Sequence, residues 1–437
     1  MQCVNIVFLV SLLANGRYRH GLRSMVGRDA SESGRAATPL ELLYDLTFVA
    51  AFGVAAGELA HGVSGGHPAA AAVSFIIAMT TTVWAWTNFT WFASAFDNDD
   101  WLFRVLTMIQ MAGVLVLAIG LPPLFASIES SGNVDIGLVV VGYVVIRVAV
   151  ALQWVRAAHD DPQYRRPAFI YGVVVGLAQL GWILLALRHF TVGPSLVVIG
   201  VLFTIESLGP VVAEARGRSN GGVTPWNPHH LAERYALLTI IALGETVIGT
   251  LSAATQISAL HGWTVDAVVV IAAGVAMSFA LWWVYFLVPH GLALRARRKK
   301  VVPWAYGHIA LFIAVAATGA GLHVVGGVYD PNHPVQVQTA VVAIAGPVLF
   351  FMLTLYLLHA WLISSPPRNV LLHLAVLILP IIAIVLAYVG LPLWSCLLLT
   401  LACPVTVIVS YELGGWRALE MQLAGLLAPP ASSERKA

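Results

Sequence analysis

A run of acidic residues lies between two apolar segments of the sequence. Asp97-Asn98-Asp99-Asp100 places three carboxylates within four positions, and Arg104 follows one helical turn later. Closely spaced carboxylates can hold Mg²⁺ or supply a general acid, and an arginine can bind phosphate oxygens. The run therefore predicts a site for a phosphate-bearing substrate, with Mg²⁺ as the cofactor.

Other charged residues lie at the ends of further apolar segments, and we expect several of these ends to converge on the same site. The candidate catalytic residues are Asp97, Asp99, Asp100, Asp45, Glu41 and Glu233. The candidate metal ligands are Asp97, Asp99, Asp100, Asp160 and Asp161. The candidate diphosphate-binding residues are Arg104, Arg165, Arg166, Arg234 and His230.

A structural interpretation of the same residues stays open. Asp99 or Asp100 is a natural N-cap for the helix that follows, and Glu41 complements the dipole of its own helix. Asp160-Asp161-Pro162 has the composition of a turn. Caps and turns explain about half of these residues without invoking any chemistry.

Four tryptophans in the apolar segments also have either a functional or a structural interpretation. Trp84 and Trp86 lie in the second apolar segment, and Trp282 and Trp283 lie in the eighth. They are candidate substrate-binding residues, because aromatic faces can line a pocket for a hydrocarbon chain or a cation. Tryptophan is also common at membrane interfaces and in helix packing.

Four charged residues fall inside apolar segments, where an ionisable group is costly and marks either a buried pair or a functional path. Arg147 and Glu206 lie near the middle of their segments, and Glu58 and Glu245 lie further along theirs. They form either a structural ion pair or an intramembrane path for an ion or solute.

Composition defines the elements that must position these residues. The 437 residues are 59% hydrophobic and 10% charged, with a mean hydropathy of +0.85. A spanning helix needs about 20 apolar residues, and a bilayer admits only helices for segments of this length. Twelve segments qualify, beginning near Leu42, Ala69, Leu102, Ile136, Ala168, Ser195, Leu231, Val265, Ala305, Val337, Val370 and Leu393. The formal net charge of +2 and the lack of a basic domain argue against nucleic-acid binding.

The distribution of Lys and Arg predicts the orientation, because both residues concentrate in cytoplasmic loops. With the amino terminus inside, 21 of the 23 Lys and Arg fall on the inner side; Arg188 alone lies in an outer loop, and Arg147 lies within a helix. We therefore predict an all-α integral membrane protein with about 12 transmembrane helices and both termini in the cytoplasm.

The two halves of the chain share weak, ordered similarities, which predict two six-helix repeats. Gly57-Glu58 recurs as Gly244-Glu245, and Trp101 and Trp304 begin corresponding segments. The predicted division is an extension over 1–37 that we expect to be disordered, repeats over 38–215 and 231–416, a polar linker over 216–230 and a cytoplasmic tail over 417–437. Gly172 and Gly176 form a small-xxx-small pair, which serves internal packing or a homodimer contact.

Three ordered motifs make the chain resemble the low temperature requirement A (LtrA) family of bacterial membrane proteins. They are Thr38 to Val49, Phe96 to Asp100 with Arg104, and His230 to Glu245. The resemblance covers roughly Thr38 to Glu412 and implies a multi-pass protein of the bacterial inner membrane. Asn98 stands where we expect a small hydroxyl residue. The family's name describes a growth phenotype and implies no chemistry.

Two looser similarities favour different functions. Asp97-x-Asp99-Asp100 resembles the aspartate motif with which class II terpene cyclases protonate an alkene, and Leu43-Tyr44-Asp45 resembles a signature of a potassium channel family. Our leading hypothesis is a membrane-embedded enzyme of cyclase or transferase type acting on an isoprenoid or lipid diphosphate. The alternative is an ion channel or secondary transporter that uses acidic residues of spans 1, 6 and 7.

Overall fold

The computed structural model describes residues 21–427 except 33, 189, 220–221, 333 and 364–369. Within these residues all regular secondary structure is helical, apart from an isolated β-bridge between Asn133 and Thr191. Twelve helical segments of the described chain are long and apolar enough to cross a membrane. The predicted fold class of an all-α, twelve-span membrane protein is therefore confirmed.

The helices are numbered in chain order, and four of the spans consist of two consecutive helices: α3 with α4, α9 with α10, α13 with α14, and α15 with α16. Their bounds are α1 Pro39–Ser64, α2 Pro68–Phe96, α3 Trp101–Ile119, α4 Leu121–Glu129, α5 Gly137–Asp160, α6 Arg165–Leu187, α7 Val192–Ser219, α8 Pro228–His261, α9 Val265–Phe286, α10 His290–Ala296, α11 Val301–Val328, α12 Val337–Ile363, α13 Val370–Val376, α14 Ile378–Tyr388, α15 Leu393–Ser410 and α16 Trp416–Leu427.

Polar caps define where the functionally interesting helices begin. Thr38 and Glu41 form a reciprocal capping box at the start of α1. The Asp100 side chain accepts a hydrogen bond from the Phe103 N–H and caps α3. Asn227 accepts from the first N–H groups of α8. Each cap satisfies N–H groups that lack partners within the helix, so these polar residues fix the helix starts.

The starts of α1, α3, α6 and α8 and the ends of α2 and α5 lie on one side of the bundle, which we call the polar face. Residues 21–32 and 34–37, the N-terminal segment, lie across it. The Met25 N–H donates to Asp160 Oδ2 (2.9 Å) and the Gly27 N–H to Asp161 Oδ2 (2.8 Å). The Met25 side chain is fully buried. From Gly21 onward the extension that we expected to be disordered therefore has defined contacts, while residues 1–20 lie outside the described residues.

Helix neighbours are similar in the two halves. In the first half α1 packs on α2 and α3, and in the second α8 packs on α9 and α11. Helix α1 also packs on α8 and α11, which joins the halves. Spans 1 and 7 therefore contact each other at the junction of the halves. The repeat itself stays a prediction.

Candidate functional site

A buried charged cluster joins the first two turns of α1 to the first two turns of α8. Glu41 and Asp45 are four residues apart on α1, and His230 and Arg234 are four residues apart on α8, so each pair lies on one helical face. Arg234 Nη1 lies 2.7 Å from Glu41 Oε1, and Arg234 Nη2 donates to Asp45 Oδ1. All four side chains are completely buried. We call these four residues the interface cluster.

Neighbouring groups hold the interface cluster in place. Trp86 Nε1–H of α2 donates to Asp45 Oδ1 (2.6 Å), and His230 Nε2 lies 3.2 Å from Glu41 Oε1. The Arg234 guanidinium also lies over the Trp86 ring, 5.7 Å from its centroid. The interface cluster thus places two carboxylates against one guanidinium and one imidazole, all removed from solvent.

Glu245 lies on the same helix, eleven residues beyond Arg234 or about 16 Å along α8. Its side chain is 2% exposed. Two glycines form its surroundings: a Cβ at Gly53 of α1 would lie 3.2 Å from Glu245 Oε1, and one at Gly319 of α11 would clash with the Glu245 backbone. Among the described residues no hydrogen bond or ion pair engages this carboxylate. Glu245 is thus a buried acid without a charged neighbour.

Glu206 of α7 is the centre of a second buried cluster, within the first half. Arg147 Nη2 donates to its Oε2 at 3.0 Å, so of the two carboxylates expected to pair with Arg147, Glu206 and Glu245, the partner is Glu206. Its other donors are the Trp84 and Trp182 indoles, the Tyr143 hydroxyl and the Gln179 amide. Five donors on one carboxylate make this a structural ion pair inside the bundle.

The aspartate run has three separate environments. Asp97 is 3% exposed, and its Oδ1 accepts the Asp99 N–H (2.9 Å). Asp99 pairs with Arg104 at 2.8 Å on the surface. Asp100 caps α3 and pairs with Arg156 of α5, whose Nη1 lies 3.0 Å from Asp100 Oδ1. The run therefore supplies a cap and two ion pairs, and its carboxylates point to different partners.

These environments shift the pKa values of Asp97 and Asp100 in opposite directions. Burial, together with the nearby Glu41 carboxylate, raises the pKa of Asp97 to about 6 against the opposing effect of Arg35. Burial would also raise the pKa of Asp100, but hydrogen bonds from Arg156 and the Phe103 N–H outweigh it and lower the pKa to about 2. Of these two, Asp97 alone is suited to carry a proton near neutral pH.

The remaining candidate residues are dispersed. Asp160 and Asp161 bind backbone N–H groups of the N-terminal segment. Arg165 donates to the Ala158 carbonyl, and Arg166 is exposed. Glu233 Oε2 lies 4.0 Å from His229 Nδ1, and Glu58 is half-buried. Trp282 and Trp283 are each 45% exposed on the outside of α9, unlike the buried Trp84 and Trp86. The structure does not gather the predicted diphosphate-binding residues around one space.

Within the described residues the aspartate run forms no metal site. In the described part of the chain no three His, Cys, Asp or Glu side chains are grouped so that they could hold a metal ion. Two cavities, of about 120 and 680 Å³, are lined by other residues and include none of the predicted catalytic, diphosphate-binding or metal-binding residues. The donor set at the run does not fit Mg²⁺, because its carboxylates are already engaged by N–H groups and arginines.

Sequence reasoning missed several partners of the buried charges. Arg156, Tyr143, Gln179 and Trp182 complete the Asp100 and Glu206 environments, and the Arg35 side chain is buried against carbonyls at the end of α2. A glutamine in an apolar span is a usable signal, because a polar group at that depth requires a partner. Arg35 gives no such signal, since it precedes the first span.

The fold and these clusters define a polytopic α-helical membrane protein with buried ion pairs. The family model described as "Bacterial low temperature requirement A protein (LtrA)" matches residues 36–407. The chain therefore belongs to the LtrA family and is a multi-pass bacterial membrane protein embedded in a lipid bilayer. An uncharacterized protein of Rhizobium meliloti is 27% identical over 358 residues, which cover 78% of this chain and 80% of that protein. No solved structure matches the chain.

Proposed function

We propose that this protein is a secondary transporter that couples solute movement to protons through the α1–α8 interface. One observation carries the proposal: Glu245 is a buried carboxylate without a described partner, on the same helix interface as the interface cluster. An intramembrane acid without a counter-ion is favoured in its neutral, protonated form. Glu245 can then lose its proton only when its surroundings change. This links proton release to a conformational change, and so to solute movement.

The position of the two polar sites supports an alternating mechanism. Phe48 and Phe52 of α1 are fully buried and lie along the helix between the interface cluster and Glu245. This apolar stretch separates the two sites in the described conformation. The halves meet at α1, α8 and α11, so a relative movement of the halves would open the stretch and connect the sites. The interface cluster would then exchange protons with the polar face, and Glu245 with the opposite side.

Proton flux into liposomes tests this proposal. Purified protein would be reconstituted with an internal pH dye, a valinomycin-driven potassium potential would be imposed, and a panel of small solutes would be added outside, one at a time, until one supports proton uptake by the wild type. We expect wild-type vesicles to take up protons, Glu245→Gln to reduce the rate at least tenfold, and the surface variant Glu129→Gln to match the wild type. A parallel experiment with a sodium gradient and no pH gradient tests whether sodium is the coupling ion. Equal rates for wild type and Glu245→Gln would contradict the proposal.

Carbodiimide labelling tests the same site without a transported substrate. Dicyclohexylcarbodiimide reacts with protonated carboxyl groups in apolar surroundings, and peptide mass spectrometry locates the adduct. We expect labelling at Glu245 that decreases as the pH rises. Glu206 is the internal control, because its carboxylate already accepts five hydrogen bonds. Labelling of Glu206 in preference to Glu245 would argue against a proton site on α8.

An enzyme acting on an isoprenoid or lipid diphosphate is the second candidate, and the environment of Asp97 favours it. Burial and Glu41 raise the pKa of Asp97 to about 6, so this residue, rather than Asp99 or Asp100, would act as the general acid. The test is incubation of purified protein with Mg²⁺ and a panel of prenyl diphosphates, followed by mass spectrometry. Turnover that is lost in Asp97→Asn and retained in Glu245→Gln would favour the enzyme.

We also propose that the polar face is cytoplasmic, with both termini inside and one chain as the functional unit. The 21 inner Lys and Arg support this orientation. A homodimer through Gly172 and Gly176 is less well supported: Gly172 faces Val155 and Trp154 of the neighbouring α5, so it serves packing within the chain.

A further inference from the structure

The seam between α1 and α8 lacks a side chain opposite the Glu245 carboxylate. Glu245 lies 17 residues after Pro228 and 16 before His261, the two ends of α8, or about 26 Å from the start of the helix. It is therefore near the middle of its span. On the facing helix, the three atoms nearest to a Cβ placed at Gly53 would all belong to the Glu245 carboxyl group, at 3.2 to 3.8 Å. The carboxylate thus points at the bare backbone of α1.

The seam is open toward the lipid at this level. Gly57, one turn beyond Gly53 on the same face of α1, is exposed, and a Cβ there would meet nothing within 4 Å. Gly244 of α8 also has open space beside it. Ala50 and Ile248 are exposed on the two sides of the seam. All of these positions lie within spanning helices, so hydrocarbon surrounds the opening.

The Glu245 carboxylate is both unpaired and within reach of this opening. The residue is 2% exposed, but its oxygens are not among the fully enclosed ones, which include Glu41 Oε1 and Asp45 Oδ2 of the interface cluster. Among the described residues no cationic group neutralises it. A carboxylate at this depth requires a cation or a proton as its partner. Since the described chain supplies no cation, the partner must come from outside the chain.

The surroundings of Glu245 select the kind of cation. An inorganic cation gives up its water shell on entering and needs several oxygen ligands in return. The neighbours that α1 and α11 place against Glu245, Gly53 and Gly319, contribute no side-chain oxygen. A protonated amine with an apolar body needs one carboxylate for its charge and apolar walls for the rest. In its neutral form such an amine also dissolves in hydrocarbon, so it can enter through the open seam.

We propose that the α1–α8 seam is a lateral binding site for a lipophilic amine, which forms an ion pair with Glu245. The neutral amine nitrogen takes the proton of the Glu245 carboxyl group, so an ammonium–carboxylate pair forms and no net charge enters the membrane. A permanent lipophilic cation binds at the same place by displacing that proton into water. The assignment builds on the transport function proposed above and names the lipophilic amine as the solute that Glu245 exchanges for protons.

Binding of tetraphenylphosphonium, a permanent lipophilic cation, tests the site. Purified protein in lipid nanodiscs would be titrated in weakly buffered solution, and bound cation and released protons would both be measured relative to empty nanodiscs. We expect about one cation per chain, about one proton released for each cation bound, and weaker binding as the pH falls, because cation and proton compete for one carboxylate. Tetraphenylborate, which has the same shape and the opposite charge, should show no protein-dependent binding.

Variants separate the charge from the opening. Glu245→Gln removes the charge, and Gly57→Leu narrows the seam while leaving Glu245 intact. Each should weaken binding at least tenfold. Gly200→Leu is the matched control, because Gly200 of α7 is also an exposed glycine with open space beside it, and this variant should bind like the wild type. Thermal unfolding of each variant checks its folding, and proton release by the wild type does not depend on any variant.

Four results would overturn the amine site: no protein-dependent binding, binding without proton release, equal binding of tetraphenylborate, or equal binding by wild type and Glu245→Gln. Unchanged binding by Gly57→Leu would overturn entry through the seam. Proton release caused by sodium alone would identify an inorganic cation site instead. If another solute supports Glu245-dependent proton flux while tetraphenylphosphonium does not bind, the amine site is wrong and the transport function stands. Binding with proton release, but without flux for any solute, supports the site and contradicts the transport function.

Discussion

Removing the negative charge at Glu206 should destabilise the first half of the bundle more than removing its positive partner. In Glu206→Gln the side chain keeps its size and one oxygen acceptor, but Arg147 is left buried, at 1% exposure, without a counter-charge. An arginine cannot lose its proton in a protein. In Arg147→Leu the Glu206 carboxylate keeps its four other donors, two indoles, a hydroxyl and an amide.

The unpaired buried charge, rather than the lost hydrogen bond, determines how much unfolding free energy each variant loses. Breaking a buried pair from one side costs about 3–5 kcal/mol, whereas each hydrogen bond within a membrane protein contributes about 0.6 kcal/mol on average. We therefore expect Glu206→Gln to lose about 3–5 kcal/mol of unfolding free energy and Arg147→Leu less. The neutral double variant Arg147→Leu/Glu206→Gln should be more stable than Glu206→Gln alone.

Unfolding of the purified protein in mixed micelles, followed by tryptophan fluorescence, measures these free energies. Ser207→Ala is the control, because Ser207 is next to Glu206 and its hydroxyl donates to carbonyls of its own helix. If Glu206→Gln is as stable as Arg147→Leu, or if the double variant is no more stable than Glu206→Gln, the charge argument is wrong and Glu206 acts only through its hydrogen bonds.

Three further predictions concern the polar face. Asp97→Asn should stabilise the protein at pH 7 by up to about 3 kcal/mol. The pKa of Asp97 is raised to about 6 in the native state, so the native state loses stability as the pH rises from about 4 to 6. Thermal unfolding of wild type and variant at pH 4 and pH 7 checks this, and the difference in stability should vanish at pH 4. A cysteine at Lys299 should react with a membrane-impermeant probe only after cells are opened, and reaction in intact cells would invert the topology. Deleting residues 1–24 should leave membrane accumulation near normal, whereas Arg35→Ala should lower the melting temperature, because the buried Arg35 guanidinium donates to the Ala93 carbonyl.

The spans could be read from the sequence because each depends on one local property, about 20 apolar residues in a row. Eleven of the twelve predicted starts follow the beginning of an observed helix or coincide with it, and Ile136 lies one residue before α5. That Arg147 has a buried carboxylate as its partner was also predictable, since a charge at that depth needs one, but the sequence left Glu206 and Glu245 both open.

The sequence did not predict that the charged residues point to separate partners, because this depends on side-chain direction rather than on spacing. Asp99 and Asp100 are adjacent in sequence, yet Asp99 turns outward to Arg104 and Asp100 turns inward to Arg156. The backbone causes this divergence: Asp99 has a positive φ of 50°, which reverses the chain before α3. The pairing of Glu41 and Asp45 with Arg234 required knowledge that α1 packs against α8, a contact between residues almost 190 positions apart.

The N-terminal segment has a consequence for how the chain is assembled in the membrane. Its Glu32 carbonyl accepts a hydrogen bond from the Asn227 side chain, 195 residues later, and its Met25 N–H binds Asp160. The segment therefore completes its contacts only after six spans have been inserted, because Asp160 ends the fourth span and Asn227 follows the sixth. Until then the segment must wait in solution on the side where α8 begins. A fluorophore on it, quenched on docking, would report the completion of the first half during synthesis.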